Sequence, residues 1–133
     1  MKIPSRSILL ALILPFTAVL AGCGDDPLAP FEPEVGNLPG AFELQATNVS
    51  DLTRTLTYTW ASPGTVANVN HSTTTTGGAA RLRVTAADGS TVYDETLVAS
   101  LNEQTAEGPA GDWTVRVVLT GYTGTLNFRL ETP

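Results

Sequence analysis

Cysteine and histidine are nearly absent from this chain of 133 residues, which contains one of each. A single cysteine excludes an internal disulfide framework and a cysteine-rich zinc site, and a single histidine excludes a multi-histidine metal centre. Charged residues are also scarce, at 15%, and the formal charge is −6, so the chain lacks the basic stripe that nucleic-acid binding needs. Because 42% of the residues are hydrophobic, the acidic balance does not indicate a disordered tail. The composition allows one small folded domain at most.

Long apolar runs are confined to the N-terminus. Lys2 and Arg6 are followed by ILLALILPFTAVL at residues 8–20, an apolar run of 13 residues. This run is too short to span a hydrocarbon core about 30 Å thick, which takes about 20 residues, and Pro15 would kink a membrane helix. A short basic region followed by such a run is typical of a secretory signal peptide.

The next residues, Leu20-Ala21-Gly22-Cys23, resemble the lipobox of bacterial lipoprotein precursors. The resemblance implies that the Cys23 thiol receives a diacylglyceryl group and that a signal peptidase then cleaves between Gly22 and Cys23. The new amino group would be acylated, for example with palmitate, and several acyl chains anchor a protein stably. Residues 1–22 would then be the signal peptide. The alternative is an ordinary signal peptide with an incidental cysteine.

The residues after the cysteine bear on where the protein would be sorted. An aspartate directly after the cysteine resembles the inner-membrane retention signal of enteric bacteria, and Gly24 does not match it, which favours the outer membrane. Asp25 and Asp26 leave surface export open, because some bacteria read acidic residues there as an export signal. Removal of residues 1–22 would leave five arginines and no lysine against 13 acids, a side-chain charge of −8. We therefore expect a protein of the cell envelope, held by its acyl chains and facing the periplasm or the cell surface.

A proline-rich spacer follows the lipobox. Residues 24–40 contain four prolines and four acidic residues, which disfavour a helix or the interior of a sheet. We expect residues 23–40 to form the lipidated cysteine and a semi-extended spacer of roughly 3 Å per residue. In the alternative, part of the spacer packs along the domain, with Phe31 or Leu38 as its anchor.

From residue 41 onward, apolar and polar residues alternate with a period of two. This alternation is typical of half-buried antiparallel strands, and it predicts 17 inward side chains. Weaker strand candidates lie at residues 65–69, 91–95 and 97–101, and turn residues such as Asp88-Gly89 separate the segments. We expect residues 41–133 to form an antiparallel β-sandwich of seven or eight strands, of jelly-roll or immunoglobulin-like type. The five segments with strict alternation are residues 42–47, 55–60, 80–86, 113–120 and 126–131.

The second half of this region resembles bacterial pre-peptidase C-terminal-type sandwiches. The resemblance rests on a glycine turn at residues 107–111, Trp113 opening a strand, a glycine-containing turn at residues 121–124, and a closing strand at residues 126–130. It implies a non-catalytic accessory module of secreted proteins.

No pattern in the chain predicts an enzyme. His71 lies in a polar, turn-rich stretch and is expected to be a solvated loop residue instead of the base of a hydrolytic triad. Asp94 and Glu95 are adjacent on a strand, so they face opposite sides and cannot act together on one substrate. We expect no catalytic residue, no resident metal and no cofactor.

Two binding functions remain as alternatives. Tyr93 and Tyr122 fall out of phase with the apolar face or in a turn, so they are the candidates for exposed ligand contacts in a carbohydrate-binding module, whereas Trp60 and Trp113 are expected in the core. Acidic residues near loops allow a calcium site, although no spacing of an EF-hand is present. The partners expected are therefore a membrane, an envelope protein or a glycan. Four arginines on polar strand faces would form a basic patch or pair with neighbouring acids: Arg81, Arg83, Arg116 and Arg129.

Overall fold

The computed structural model describes residues 31–133, and in this range every regular element is a β-strand. The lipobox and signal peptide predicted from the sequence lie outside the described residues. Within residues 31–133, no helix is long and apolar enough to cross a membrane. All strand pairings are antiparallel, which confirms the predicted all-β sandwich architecture. The strands are β1 (Glu34–Leu38), β2 (Ala41–Ser62), β3 (Asn68–His71), β4 (Thr74–Thr85), β5 (Thr91–Thr96), β6 (Leu101–Gln104) and β7 (Gly111–Glu131).

Two long strands, β2 and β7, form the centre of the fold. They contain 22 and 21 residues and pair with each other along their whole length. Each strand unites two segments that the alternation pattern predicts separately, and each bends in the middle so that one sheet folds over into two layers. Sheet 1 comprises β1, residues 41–46 of β2, residues 126–131 of β7, β3 and β6. Sheet 2 comprises residues 54–62 of β2, residues 111–119 of β7, residues 79–85 of β4, and β5.

The bend between the two layers has a local conformational cause. The β2–β7 register shifts three times between residues 46 and 54. Asn48 and Asp51 lie there at φ values of 55° and 44°, a left-handed conformation that asparagine and aspartate tolerate better than most residues. Gly124, on the facing part of β7, has a φ of 147° and lies against the Thr74 carbonyl, so a side chain at this position would collide with backbone.

The space between the two sheets holds one hydrophobic core. Of the 17 side chains predicted to point inward, all are buried except Tyr58, which is half-buried and packs against the core. Trp60 and Trp113 are fully buried, as predicted, and their rings meet edge to face at a centroid distance of 5.9 Å. Their indole N–H groups donate to the carbonyls of Leu38 and Pro109, so neither buried donor is left without a partner.

Three sequence-based predictions about element boundaries are wrong. The predicted turn at residues 121–124 is the bend inside β7, because this stretch continues to pair with β4. The predicted strand at residues 97–101 is a bend followed by β6, which begins at Leu101. The candidate at residues 65–69 is shifted, since β3 begins at Asn68.

The spacer joins the sheet before the predicted domain boundary at residue 41. Residues 34–38 form β1, an edge strand that pairs with β2 through a two-residue turn at Pro39 and Gly40. Gly40 adopts a φ of 79°, which suits the second central position of such a turn. Phe31 packs against the core, as the alternative interpretation of the spacer predicts, whereas Leu38 is 66% exposed and is not an anchor.

Candidate functional site

Tyr93 and Tyr122, the predicted ligand contacts, are both buried. Tyr93 is 7% exposed because the pairing of β4 with β5 shifts between Val84 and Thr85, and the extra residue, Val92, turns Tyr93 towards the core. Tyr122 is fully buried at the bend of β7, where its hydroxyl donates to the Thr74 carbonyl. The prediction that these rings are exposed is therefore wrong, and neither offers a stacking surface to a sugar.

His71, expected in a solvated loop, lies on β3 and is only 2% exposed. Its Nε2 lies 2.7 Å from the Tyr93 hydroxyl, and the same hydroxyl lies 3.0 Å from an Oε of Glu103. The backbone N–H of Val98 donates to His71 Nδ1 at 3.3 Å. We call His71, Tyr93 and Glu103 the histidine network. It links β3 and β6 of sheet 1 to β5 of sheet 2.

The contacts of the histidine network assign its protons. Since Nδ1 accepts a hydrogen bond from Val98, Nε2 must carry the proton of the neutral ring and donate it to the Tyr93 oxygen. The Tyr93 hydroxyl in turn donates to the Glu103 carboxylate. Burial lowers the pKa of His71, and the carboxylates of Glu103 and Glu95 only partly oppose this effect. Burial, together with the hydrogen bond to Glu103, raises the pKa of Tyr93 far above its usual value.

Sequence reasoning missed the burial of His71, although a signal for it exists. Asn68, Val69, Asn70 and His71 alternate with a period of two, so His71 shares the inward face of Val69. Both ring nitrogens of His71 are occupied by hydrogen bonds. The network is therefore built to hold the two sheets together at this side of the sandwich.

A shallow cleft of about 440 Å³ lies over the outer face of sheet 1. The side chains of β3 and β6 form two amide pairs across it: Asn70 Nδ2 donates to Asn102 Oδ1 at 2.6 Å, and Gln104 Nε2 donates to Asn68 Oδ1 at 3.2 Å. Each pair leaves one amide N–H₂ group and one carbonyl oxygen with further hydrogen-bonding capacity. We call this feature the amide cleft. Its lining is completed by Val69, Glu103, Arg129 and Glu131.

The arginine of the amide cleft is neutralised by its neighbours. Arg129 lies opposite Glu43 on β2 and opposite Asn70 on β3. Its guanidinium lies 3.3 Å from a Glu43 carboxylate oxygen and 3.7 Å from one of Glu131. The outer face of sheet 1 is thus a polar surface of amides and carboxylates with one compensated positive charge.

The outer face of sheet 2 has a different charge arrangement. Arg116 on β7 lies directly opposite Arg83 on β4, and Arg81 is the next outward residue along β4. Among the residues that the structure describes, only Asp94 on β5 forms ion pairs with them, at 2.6 Å from Arg81 and 4.0 Å from Arg83. The pairing that the sequence suggested is therefore present for Arg81, Arg83 and Arg129, but within the described residues Arg116 forms no ion pair.

Acidic residues of the described chain are dispersed. In residues 31–133 no three His, Cys, Asp or Glu side chains are grouped closely enough to hold a metal ion. Asp88 is engaged locally, since its carboxylate accepts hydrogen bonds from both the backbone and the hydroxyl of Ser90, and these bonds lower its pKa. The calcium alternative thus gains no supporting geometry from this part of the chain.

No protein-family model and no curated protein sequence matches this chain.

Proposed function

We propose that the chain is a lipid-anchored protein of the bacterial cell envelope, and that its β-sandwich is a non-catalytic structural or binding module. The observation that carries this proposal is the segment Leu20-Ala21-Gly22-Cys23 after a basic region and an apolar run. The cysteine at this position is the only one in the chain. Gly24 favours the outer membrane as the place of the anchor.

The way in which the chain enters the fold supports the proposal. β1 runs from Glu34, beside Gln45, to Leu38, beside Ala41, so the chain joins the sandwich at the end where β2 bends. Only seven residues lie between Cys23 and Phe31, and the eight steps from one to the other span at most about 28 Å even when fully extended. An acyl anchor on Cys23 would therefore hold the bend end of the sandwich close to the membrane.

The Cys23→Ala variant tests the anchor. We expect it to lose metabolic labelling with palmitate and to leave the membrane fraction, because the thiol that receives the lipid is absent. Expression in a Gram-negative host, acyl labelling and fractionation measure this. The matched control is Asp26→Asn, which leaves the lipobox intact and should be labelled and retained like the wild type. Membrane retention of Cys23→Ala would refute the anchor.

A specific observation favours a second candidate function, glycan binding at the amide cleft. A side-chain amide presents its donors and its acceptor in one plane, so it can bond two vicinal hydroxyls of a sugar. The Asn70–Asn102 and Asn68–Gln104 pairs orient such amides along neighbouring strands. Arg129 and Glu131, which lie opposite Asn70 and Asn68 on the same outer face, add charged hydrogen-bonding groups at this place. This candidate replaces the contacts predicted at Tyr93 and Tyr122.

The variant Asn102→Ala tests the second candidate on a glycan array and by calorimetry with any glycan that the wild type binds. We expect affinity to fall about fivefold, because one oriented amide is lost and its partner Asn70 becomes free to rotate. Thr57→Ala, an exposed change on the outer face of sheet 2, is the control and should bind normally. Absence of binding by the wild type, or equal binding by Asn102→Ala, would exclude the cleft as a glycan site.

A further inference from the structure

We infer that the outer face of sheet 2 docks on the anionic phospholipid headgroups of the membrane that carries the anchor. This inference rests on the proposed function, because it takes the acyl chains on Cys23 as given. The docking surface, which we call the arginine face, consists of Arg81, Arg83 and Arg116 with the surrounding threonines Thr55, Thr57, Thr59 and Thr114.

The first support is the concentration of positive charge. Without its signal peptide the chain has five arginines and no lysine, and three of the five lie on the arginine face. Among residues 31–133 Asp94 is the only acid paired with them, and Asp112 is a further acid on the same outer face, so this face keeps a net charge of +1 in a chain with 13 acids. Such a local patch attracts an anionic surface even when the whole protein is acidic.

The second support is the arrangement of two of these arginines. Arg83 and Arg116 are direct cross-strand partners, and like charges in this position repel each other. A phosphate group between them would remove the repulsion, and each guanidinium offers a planar set of N–H donors that matches phosphate oxygens. All three arginines are exposed, so their guanidinium groups are accessible to a flat anionic surface.

The third support is where the anchor enters. A guanidinium nitrogen of Arg54, at the start of the sheet-2 part of β2, donates to the Phe31 carbonyl at 3.4 Å. The chain therefore reaches the fold beside the edge of sheet 2. Sheet 2 is four strands wide, roughly 14 Å from its first strand to its last. A segment of eight residues, with a reach of about 28 Å, is long enough for the arginine face to lie flat on the same membrane.

The charges on the outer face of sheet 1 also favour the orientation in which the arginine face lies against the membrane. The opposite outer face presents Glu43 and Glu131 around the single Arg129. An anionic membrane would repel these carboxylates, so the arginine face is the side that turns towards it.

The test uses the mature lipidated protein in nanodiscs of phosphatidylcholine alone and in nanodiscs that also contain phosphatidylglycerol, each with a gadolinium-labelled lipid. In the anionic discs we expect paramagnetic broadening of the methyl signals of Thr57 and Val118, which lie on the outer face of sheet 2, and little broadening of Ala41 on the other face. In the neutral discs the two faces should be broadened alike. Each arginine near an anionic surface strengthens binding roughly fivefold. The double variant Arg83→Gln/Arg116→Gln should therefore lower the ratio of docked to undocked protein about 25-fold.

Arg129→Gln is the matched control, because it removes the same charge from the other face and should leave docking unchanged. Docking is refuted if the anionic and neutral discs give the same broadening, if Ala41 is broadened more than Val118, or if the double variant docks like the wild type. Inorganic phosphate is added to the neutral discs as a separate arm. If it shifts the Arg83 and Arg116 signals while the anionic discs produce no docking, the face is a soluble-phosphate site and the membrane inference is wrong.

The two proposals fail in different ways. If the wild type does not remain on neutral discs, the lipid anchor is refuted and the docking inference falls with it. If the protein remains anchored but shows no preference for anionic lipid, the anchor stands and only the docking inference is refuted.

Discussion

On the outer face of sheet 1, Arg129 lies between Glu43 and Glu131, whereas on the outer face of sheet 2 Arg116 lies opposite another arginine, Arg83. Both faces have the same backbone geometry and the same outward alternation. The first arrangement neutralises its arginine within the protein, whereas in the second Arg116 forms no ion pair within residues 31–133. Like charges directly opposite each other on neighbouring strands are destabilising, so the stability of the fold does not account for the pairing of Arg83 with Arg116.

The comparison also shows how little the overall charge says about a local surface. A chain with 13 acids and few basic residues has the composition of a protein that avoids anionic partners. The fold nevertheless collects three arginines on one face, because residues separated by more than thirty positions become cross-strand neighbours. The distribution of charge therefore has to be considered for each face separately.

Both outer faces exist only while the two sheets are packed together, and the histidine network links the two sheets. The largest effect we expect is therefore that of acid on this network. His71 has a lowered pKa in the folded state, so as the pH falls below about 6.5 the unfolded chain binds a proton that the folded protein resists. The contribution of His71 to the free energy of unfolding should be constant above about pH 6.5, and it should decrease as the pH falls below that value. Denaturant titrations at a series of pH values measure this.

A protonated His71 would place Nδ1–H against the N–H of Val98, two donors facing each other. Loosening should therefore begin at residues 97–101. His71→Gln is the control, since it cannot titrate and should lose the fall in stability between about pH 7 and about pH 5. His71 is the only histidine in the chain, so its ring signals in an NMR titration need no assignment. A measured pKa above 6.5 would contradict the prediction.

The core of this fold was predictable because strand side chains alternate strictly between two faces. Sixteen of the 17 inward positions follow from that period alone, including Trp60 and Trp113. The alternation also predicts that His71 is buried, because His71 and Val69 are two positions apart and therefore lie on the same face of β3. Local periodicity thus predicts which residues are inside a β-sandwich before any strand pairing is known.

The candidate sites were not predictable, since each depends on pairing between distant segments. One extra residue, Val92, reverses the face on which Tyr93 lies, and no local pattern marks that bulge. The stretch from Gly121 to Gly124 has the composition of a turn but continues as a bent strand because β4 pairs with it. The opposition of Arg83 and Arg116 likewise follows from the β4–β7 register, which periodicity alone does not determine.

The smallest effect we expect comes from removing one arginine from each face and comparing the signs. Arg129→Gln should lower the free energy of unfolding, because it removes the partner of Glu43 and Glu131, and Arg116→Gln should raise it, because it relieves the repulsion from Arg83. Each change should be below about 1 kcal/mol, as is usual for exposed charges. Denaturant titrations of the two variants at low and at high salt measure this, and salt should shrink both differences, since it screens exposed charges. If both variants change stability in the same direction, the two faces do not differ in the way that the strand register indicates, and Arg116 must have a partner that compensates its charge within the protein.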